Sequence, residues 1–540
     1  MRSSFQSESL HRTMVNKYDA IVIGGGHNGL VNAAYLARAG LKVLVLERRP
    51  VLGGASVTEE VFPGFRFSVF SYVVSLFRPE IVRDLNLPAH GLTILPLEST
   101  LTPLSNGDRL YRDSDHYRSM RDIARFSRRD ADIYEDYSHA MYFMAKAVKY
   151  ILGIVPPDPT SLHPGDLGSL YRLAKHFLGL GEEQLYTLTR LMTMSSADFL
   201  ERWFESEPLK GTMSASGIIG TSLGPRSPGS AYVLLHHYMG EIDGVFRAWG
   251  FSKGGTGGLS QAIARAAQSF SAEIRTDAPV AQVIVRHAKT AGVVLENGDE
   301  IFANRVISSL DPKQTFLKLV DPRQLPDDLV SAIRKFNIHG SSGKVNLALD
   351  ALPQFACWPG PGPHLRGAIS ISPSIDYIER AFDQAKYGDF SHQPYIDIVI
   401  PSMIDPDMAP PGKHVLSCFV QYAPYHLNEG NWEARRDEFG EAVVDTLAEY
   451  IPNIRNIILY RQVLSPWDIE QTVGLTEGNI FQGELSLWQL FFLRPAAGYA
   501  RFRTPIQNYY QCGSGTHPGG GITGAPGRLA ALEILKDLKQ

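Results

Sequence analysis

The sequence has few cysteines and no long uninterrupted apolar run. Among its 540 residues, Cys357, Cys418 and Cys512 stand far apart and form no CxxC pair. A disulfide framework, a cysteine-ligated zinc site and a dithiol redox centre therefore lack support in the sequence. His236 and His237 are adjacent, but no third ligand accompanies them, so we predict no metal site. No stretch of about 18 residues is free of charged or strongly polar side chains, so we predict no membrane-spanning helix.

The charge balance excludes another class of function. Lysine and arginine total 52 and aspartate and glutamate total 56, which gives a formal net charge of −4. A chain of this charge has no general attraction for polyanions, so we predict no nucleic-acid partner. Hydrophobic residues make up 44% and charged residues 20%, which is typical of a globular protein, and the length predicts two or three domains.

The first residues lack the apolar core of a secretory signal. Residues 1–14 contain Arg2 and Arg12, several serines and a single acid, Glu8. Two interpretations are open: a short mitochondrial presequence, or a disordered leader that precedes Met14. We favour the leader, because the residues after Met14 run directly into the first predicted strand.

A glycine-rich turn links the first predicted strand to the first predicted helix. Residues 18–23 are apolar and predict a buried parallel strand, and residues 30–39 are rich in alanine and leucine and predict a helix. Residues 24–29, GGGHNG, lie between them and match GxGxxG. A second apolar run follows and ends at Glu47. This order of elements predicts a Rossmann-type dinucleotide site.

Each element of the pattern has a chemical role in such a site. Gly24 permits the tight turn, Gly26 lets the backbone approach a pyrophosphate, and Gly29 lets the helix pack on the strand. The helix N-terminus presents free N–H groups to the phosphates. Glu47 is placed to accept hydrogen bonds from a ribose, and an acid there disfavours NADP. The motif alone leaves FAD and NAD open.

The residues after Glu47 carry a resemblance to a known family. Arg48 and the pair Gly53 and Gly54 extend the motif to E-R-x(4)-G-G, which resembles the phytoene desaturase-like branch of the flavin amine oxidase superfamily. The resemblance implies bound FAD, with the arginine near the adenosine and the glycine pair beside the flavin. Ala55 stands where many members have arginine.

A second glycine-rich block lies near residue 520. Residues 509–514 predict a strand that runs into a turn, residues 519–524 form a glycine-rich bend, and residues 525–538 predict a helix. The N-terminus of that helix would stabilise negative charge on reduced flavin. This block resembles the C-terminal flavin motif of the same superfamily. We therefore expect the bend to lie beside residues 24–29.

The resemblance also places a backbone contact to adenine at Val283, in a predicted strand that precedes a hairpin turn at Asn297 and Gly298. The full set of predicted FAD-binding residues is Ile23, Gly24, Gly26, His27, Asn28, Gly29, Glu47, Arg48, Gly53, Gly54, Ala55, Val283, Gly513, Ser514, Gly520, Gly521 and Ile522.

The fold class follows from the same resemblance. We expect an α/β protein, α+β overall, with a Rossmann-type FAD domain of glutathione-reductase-like fold and a mixed-sheet substrate domain with helices. The FAD domain is predicted to be discontinuous and to comprise residues 15–108, 240–319 and 472–540. The substrate domain is predicted to comprise residues 109–239 and 320–471.

Lys344 is the predicted catalytic residue. It lies in an alternating run typical of a strand, and its place is similar to that of the active-site lysine of flavin amine oxidases, which holds a water near flavin N5. The alternative is a lysine at the end of a strand in solvent. A basic amphipathic pattern at residues 168–180 is compatible with peripheral membrane contact or with an ordinary surface helix.

These features predict an FAD-dependent oxidoreductase that takes a hydride from an apolar small molecule, such as a polyene or lipid, to flavin N5. Amine oxidation is the next alternative. Others are a regulator or assembly partner of mitochondrial respiratory function, possessing a structural flavin, and an NAD-dependent dehydrogenase. The animal proteins that this chain resembles over nearly its whole length are mitochondrial, so we expect the mitochondrial matrix for a eukaryotic chain and the cytoplasm for a prokaryotic one.

Overall fold

The computed structural model describes residues 18–242, 244–246 and 248–539. The predicted leader, residues 1–14, lies outside this described part. The strands are β1 Ala20–Ile23, β2 Val43–Leu46, β3 Thr58–Phe62, β4 Phe65–Ser68, β5 Ile94–Pro96, β6 Ser99–Pro103, β7 Arg109–Asp113, β8 Glu241–Ile242, β9 Val245–Phe246, β10 Gly250–Ser252, β11 Glu273–Arg275, β12 Val280–Arg286, β13 Lys289–Leu295, β14 Glu300–Phe302, β15 Val306–Ser308, β16 Ser342–Leu349, β17 Ala368–Ile371, β18 Tyr395–Val399, β19 His414–Gln421, β20 Ile458–Leu464 and β21 Tyr509–Gln511.

Helices separate these strands and cover both large sheets. They are α1 His27–Arg38, α2 Pro79–Asp84, α3 His116–Ile123, α4 Arg128–Leu152, α5 Pro164–Leu178, α6 Glu182–Thr193, α7 Ser196–Glu201, α8 Glu207–Ala215, α9 Ser230–Tyr238, α10 Thr256–Ser269, α11 Pro312–Leu317, α12 Asp327–Arg334, α13 Ile375–Lys386, α14 Trp432–Tyr450, α15 Ile454–Ile457, α16 Pro466–Val473 and α17 Ala525–Asp537.

A five-stranded parallel sheet forms the centre of the first domain. Its strand order is β11-β2-β1-β15-β21, so the first strand of the motif lies in the middle. The residues of β1 and β2 are all buried, as expected for a parallel sheet with both faces covered. α1, α10 and α17 pack together on one face around a shared apolar cluster. The α/β, Rossmann-type prediction is therefore confirmed.

A three-stranded antiparallel meander covers part of the other face. β12, β13 and β14 follow one another in sequence and in space. The turn between the last two strands contains Gly298 at φ +90°, a left-handed conformation that glycine adopts without strain. The hairpin turn predicted at Asn297 and Gly298 is present.

The second domain is built on a seven-stranded mixed sheet. Its order is β20-β16-β19-β18-β17-β6-β7, and only the β17–β6 pair is parallel. β6 begins at Ser99, within the segment predicted for the FAD domain. The boundary predicted at residue 108 is therefore too late, because a hairpin of the substrate sheet starts about ten residues earlier.

A layer of helices, α3 to α9, faces this sheet and has its own apolar core. α5 lies at the edge of that layer and exposes Leu167, Tyr171 and Leu178. None of the helices in the described residues combines the length and apolar character needed to cross a bilayer.

Candidate functional site

The glycine-rich turn after β1 leaves space for a ligand to approach the backbone at Gly26. A methyl group at Gly29 would lie 2.2 Å from the carbonyl oxygen of Gly24, and one at Gly24 would lie 2.6 Å from Oγ of Ser309. A methyl group at Gly26 would meet no atom within 4 Å. Gly24 and Gly29 are therefore required by packing, whereas Gly26 faces open space, which is where a pyrophosphate binds in such a turn.

Glu47 is held at the end of β2 by two backbone N–H groups. Its buried carboxylate accepts hydrogen bonds from Gly25 N at 2.7 Å and from Arg49 N at 2.9 Å. Each carboxylate oxygen has further acceptor capacity. The site therefore fixes an acid beside the phosphate turn that can accept hydrogen bonds from ribose hydroxyls.

The arginine beside this acid differs from the one predicted. Arg48 is exposed and donates to the carbonyl oxygens of Gln471 and Thr472, at 3.3 and 2.7 Å, so it caps α16. Arg49 pairs with Glu59, and its buried Nη1 has no hydrogen-bond partner in the described part of the chain. Arg49 is thus the arginine with a donor left for a ligand. Arg48 and Arg49 are adjacent in the sequence. The conformation of the local turn determines which of the two side chains points toward the nucleotide site.

The two glycine-rich blocks meet. Asn28 Nδ2 donates to Ser514 Oγ at 3.0 Å, across 486 residues of chain. The His27 ring lies against the backbone of Gly521, and burial lowers the pKa of His27 to about 4. A methyl group at Gly527 would lie 2.1 Å from the carbonyl oxygen of Asn28, so α1 and α17 approach backbone to backbone. The expected convergence of the bend on residues 24–29 is therefore present.

One buried arginine, Arg494, stabilises the turn that precedes the glycine-rich bend at residues 519–524. Arg494 is fully buried and donates hydrogen bonds of 2.9 to 3.4 Å to backbone carbonyls. Those carbonyls belong to Phe481, Gly483, Glu484, Gln489 and Ser514. The guanidinium is already saturated, so Arg494 shapes the turn and does not recruit a ligand anion.

The glycine pair after Glu47 closes over the phosphate turn. Gly53 N donates to Gly25 O at 2.9 Å, and a methyl group at Gly54 would lie 3.3 Å from Cα of Gly26. Ala55 follows, and its carbonyl accepts from Ser71 Oγ at 3.0 Å. This hydrogen bond connects the nucleotide-binding segment to the segment around Ser71, which continues to Tyr72 beside the substrate sheet.

Four remaining predicted residues have different surroundings. Ile23 ends the buried β1 strand, and Ile522 packs against the apolar cluster around α1 and α17. Gly513 and Gly520 are packed tightly, since a methyl group would lie 2.6 Å from Ser309 O and 2.4 Å from Cα of Phe481, respectively. All four shape the walls of the site through packing.

The structure limits how the predicted backbone contact at Val283 can form. Its side chain is buried in the core beneath the meander, and its N–H donates to Leu319 O at 2.8 Å. That N–H is therefore not free for adenine. The neighbouring Ala278 lies beside the acid instead, since its N–H donates to Glu47 O at 2.9 Å. The register of β12 determines which backbone N–H groups face the segment at Leu319 and which face Glu47. That register cannot be recognised from the sequence.

Lys344 lies on β16, an inner strand next to the edge strand β20 of the substrate sheet, and not in solvent. It is 1% exposed, and its Nζ donates to Ser417 Oγ and, at 3.2 Å, to Asn346 Oδ1. Its ammonium lies 5.8 Å from the centre of the Tyr72 ring. Burial lowers the pKa of Lys344 to about 7, against the attraction of Asp397, which raises it.

Asp397 is a second buried group on the same face, and sequence reasoning missed it. It accepts a hydrogen bond of 2.8 Å from the Tyr72 hydroxyl. Burial raises the pKa of Asp397 to about 7, although hydrogen bonds from Tyr72 and Tyr395 and the charge of Lys344 lower it. Tyr72 therefore hydrogen-bonds to Asp397 and lies near the Lys344 ammonium. It follows the glycine pair of the nucleotide site by fewer than twenty residues.

A cavity of about 810 Å³ lies between the substrate sheet and the helical layer. Its apolar lining includes Leu97, Ile219, Phe246 and Trp249, and its polar lining includes Arg112, Thr212, Ser370, Tyr395 and Asp397. A cavity of this size admits a small molecule of about 20 non-hydrogen atoms. Asp397 thus links the cavity to Tyr72 and Lys344.

Comparisons with known proteins identify the family. A model of the family described as flavin containing amine oxidoreductase matches residues 185–535, and a model of an NAD(P)-binding Rossmann-like domain matches residues 22–85. The chain belongs to the flavin-containing amine oxidoreductase family. It is an FAD-dependent oxidoreductase, and the predictions of the family and of FAD are confirmed.

The relatives of this oxidoreductase match it along almost its whole length. Pyridine nucleotide-disulfide oxidoreductase domain-containing protein 2 of Rattus norvegicus is 41% identical, covering 97% of this chain and 94% of the relative. One of the limonene dehydrogenase subunits of Castellaniella defragrans is 27% identical (97% and 95% covered), and phytoene desaturase (lycopene-forming) of Pseudescherichia vulneris is 25% identical (96% and 99% covered). A putrescine oxidase variant structure has the same fold, with a TM-score of 0.59 and 16% identity over 96% of this chain and 99% of that one.

The oxidoreductase holds no assembled thiol or metal centre within the described residues. Cys357, Cys418 and Cys512 are all free and buried. His236 and His237 pack around the bend, and burial lowers the pKa of His236 to about 3 and of His237 to about 4. No cluster of three potential metal ligands occurs in that part of the chain. Lys344 and Asp397 form a separate buried ionisable pair on the face of the substrate sheet.

The residues present fit FAD. Open space at Gly26, the fixed acid Glu47, and the buried donor of Arg49 suit the diphosphate and ribose of the adenosine half. The N-terminus of α17, preceded by the bend at Gly521, suits the electron-accepting ring. When bound, FAD supplies a two-electron acceptor.

The open position at Gly26 gives the first prediction. Gly26→Ala should fold normally, because Gly26 has an ordinary negative φ of −68° and its methyl group meets no protein atom. The methyl group would, however, push the diphosphate away from the turn N–H groups. Losing one or two such hydrogen bonds lowers affinity by about 10- to 100-fold. Titration of the apoprotein with FAD measures this.

Gly168→Ala in α5, remote from the nucleotide, is the matched control and should bind FAD as the wild type does. Unchanged FAD affinity in Gly26→Ala would show that the diphosphate does not bind at this turn.

Proposed function

We propose that this oxidoreductase desaturates an elongated, largely apolar substrate bound in the 810 Å³ cavity. Bound FAD supplies the hydride acceptor, and oxygen or a quinone reoxidises it. Asp397 accepts the proton lost from the neighbouring carbon, so that two C–H bonds break and one C=C bond forms. The observation that carries the proposal is a buried carboxylate on the wall of a cavity with both apolar and polar lining, linked through Tyr72 to the FAD-binding segment.

Asp397 is suited to accept this proton. General bases work best when their pKa lies near the working pH, and burial raises the pKa of Asp397 to about 7. The Tyr72 hydroxyl fixes one carboxylate oxygen at 2.8 Å, so the group is oriented before substrate binds. Tyr395 and the backbone N–H of Ile398 also hydrogen-bond to this carboxylate, and a carboxylate can accept further hydrogen bonds beyond these.

Lys344 supports the base electrostatically. The two residues flank Phe419 in adjacent strand pairs, Lys344 on β16 and Asp397 on β18, with their side chains on one face of the sheet. A lysine of pKa about 7 exchanges its proton near neutral pH. It therefore lowers the pKa of the carboxylate when charged and takes part in returning the proton to solvent when neutral.

The relatives support an apolar substrate. Limonene and phytoene, in the names of two of them, are hydrocarbons. The apolar wall formed by Leu97, Ile219, Phe246 and Trp249 suits the same chemical class. Amine oxidation is the second candidate, because the Asp397 carboxylate on the cavity wall could pair with a substrate ammonium.

Anaerobic titration of the purified holoprotein distinguishes these candidates. We expect a terpene probe, limonene in detergent, to bleach the oxidised-flavin band near 450 nm, roughly where that cofactor absorbs. Putrescine should leave it unchanged. Bleaching by putrescine alone would replace desaturation with amine oxidation. A flavin that only dithionite reduces would favour a structural flavin in a respiratory assembly partner.

A further inference from the structure

Arg112 is a buried cation on the wall of the substrate cavity. It lies in β7, at the edge of the substrate sheet, and is only 8% exposed. Its side chain lines the cavity together with Tyr134 and Thr212. Arginine is rarely buried this deeply unless an anion accompanies it, because an unpaired charge in a protein interior is strongly disfavoured.

The protein partners of this guanidinium are neutral and distant. Arg112 donates to Thr212 Oγ1 at 3.4 Å, to the Tyr134 hydroxyl at 3.5 Å and to Met213 Sδ at 3.6 Å. Good N–H···O bonds are about 2.9 Å long, so both contacts to oxygen are weak, and a thioether sulfur is a weak acceptor. Among the residues that the structure describes, Arg112 forms no ion pair.

Carboxylates near Arg112 are engaged elsewhere. Asp113, the next residue, pairs with Arg118 at 2.8 Å. Glu98, another carboxylate of the cavity wall, pairs with Arg366 at 2.6 Å. The contrast with Arg494, whose guanidinium is saturated by close carbonyl contacts, shows that this fold can satisfy a buried arginine internally. At Arg112 it leaves the donors facing the cavity.

The sheet register aligns Arg112 with the proposed base. Arg112 pairs with Thr100 on β6, and Thr100 pairs with Ala368 on β17. Ser370, two residues further on and hence on the same face, pairs with Asp397 on β18. Arg112 and Asp397 therefore share one face, and their strands are three spacings, about 14 Å, apart. The cavity spans this row.

The geometry points to a substrate that is an amphipathic monocarboxylate, with its carboxylate on Arg112 and its apolar chain running along the sheet toward Asp397. This inference rests on the proposed function for the identity of the reacting end. The planar guanidinium binds a carboxylate through two parallel N–H···O bonds, and the hydroxyls of Tyr134 and Thr212 lie within reach of the same head group. Oxidation then occurs far along the chain from the acid.

Calorimetric titration of the FAD-loaded protein tests the head-group specificity with three probes of equal chain length: dodecanoate, dodecan-1-ol and dodecylamine. We expect dodecanoate to bind at least about tenfold more tightly than the alcohol, which corresponds to about 1.4 kcal/mol. The amine should bind no better than the alcohol. Equal affinity for dodecanoate and the alcohol, or no measurable dodecanoate binding, would overturn the inference.

Substitutions locate the preference. Arg112→Gln should reduce dodecanoate affinity to that of the alcohol and leave alcohol binding unchanged, which also shows that the cavity is intact. Arg112→Lys should keep a smaller preference. The matched control is Arg118→Gln, which removes a cavity-lining arginine that is 55% exposed and already paired with Asp113; it should keep the full preference. Loss of preference in Arg118→Gln but not in Arg112→Gln would reject Arg112 as the anchor.

The readout is independent of turnover. If dodecanoate is preferred through Arg112 while no apolar compound reduces the flavin, the proposed desaturation fails and the anion site stands. If apolar hydrocarbons reduce the flavin while Arg112→Gln changes nothing, the anion site fails and the desaturation stands.

Discussion

Asp397→Asn should slow anaerobic flavin reduction by about 10²- to 10⁴-fold, the range that a general base contributes. The wild-type rate should rise with pH and level off above pH 7, because the pKa of Asp397 is raised to about 7 and only its ionised form accepts a proton. The amide cannot ionise, so the residual rate of the variant should not show this rise. Stopped-flow measurement of flavin bleaching from pH 5.5 to 9, roughly the range in which these groups titrate, gives both results.

Asp113→Asn is the matched control for that experiment. Asp113 lines the same cavity, but it pairs with Arg118 and the amide oxygen of asparagine preserves the hydrogen bond from Asp115 N. We expect its rate and pH profile to equal those of the wild type. An Asp397→Asn variant that reduces flavin at the wild-type rate would remove Asp397 as the base.

Lys344→Met should produce the second large effect, a decrease of about 10²-fold in flavin reduction at pH 7. Removing the cation removes an interaction that lowers the pKa of Asp397, so that pKa should rise and the pH profile should move to higher pH. The rate should therefore recover partly at pH 9. A purely structural lysine would lower the rate equally at all pH values, so the displaced profile is the decisive measurement.

Lys210→Met provides the comparison for Lys344→Met. Lys210 is also buried, at 8% exposure, but it pairs with Glu207 at 2.7 Å on α8 and does not line the cavity. It should reduce thermal stability without moving the pH profile. If both variants showed the same profile, Lys344 would have no electrostatic role in the reaction.

The nucleotide half of the site could be predicted from the sequence because its requirements are local. Gly24, Gly29 and Glu47 each satisfy a backbone or packing demand that only a few residue types meet, and these demands follow one another within 24 residues. The bend around Gly521 was predicted for the same reason. Such local backbone and packing requirements restrict the residue types allowed at successive positions, so they can be recognised from the sequence without knowledge of the fold.

The substrate half could not be predicted in this way. Arg112, Asp397 and Tyr72 come from three separate segments, and only the register of the seven-stranded sheet and the path of the chain after the glycine pair bring them to one cavity. Nothing near each residue in the sequence marks it as buried. Lys344 was recognised through family resemblance, but its burial and its neighbours depend on the same register.

Smaller differences between the sequence predictions and the structure have similar causes. Arg48 and Arg49 are adjacent and chemically identical, and the side chain that reaches the site depends on the direction of each residue in the turn. The N–H of Val283 is used within the core because of the position of a strand relative to the segment at Leu319. The boundary predicted at residue 108 assigned β6 to the wrong domain, because the sequence pattern of a short hairpin strand does not indicate which sheet the strand joins.

The contact between Asn28 and Ser514 has a consequence for biosynthesis. These partners are 486 residues apart, and the ribosome adds about 5 to 20 residues per second, so the first half of the nucleotide pocket waits roughly 25 to 100 seconds for its second half. Throughout that interval the emerging α1 has an apolar face that α17 will later cover. The FAD pocket therefore cannot be completed during most of synthesis, and it closes only when translation has passed the last helix.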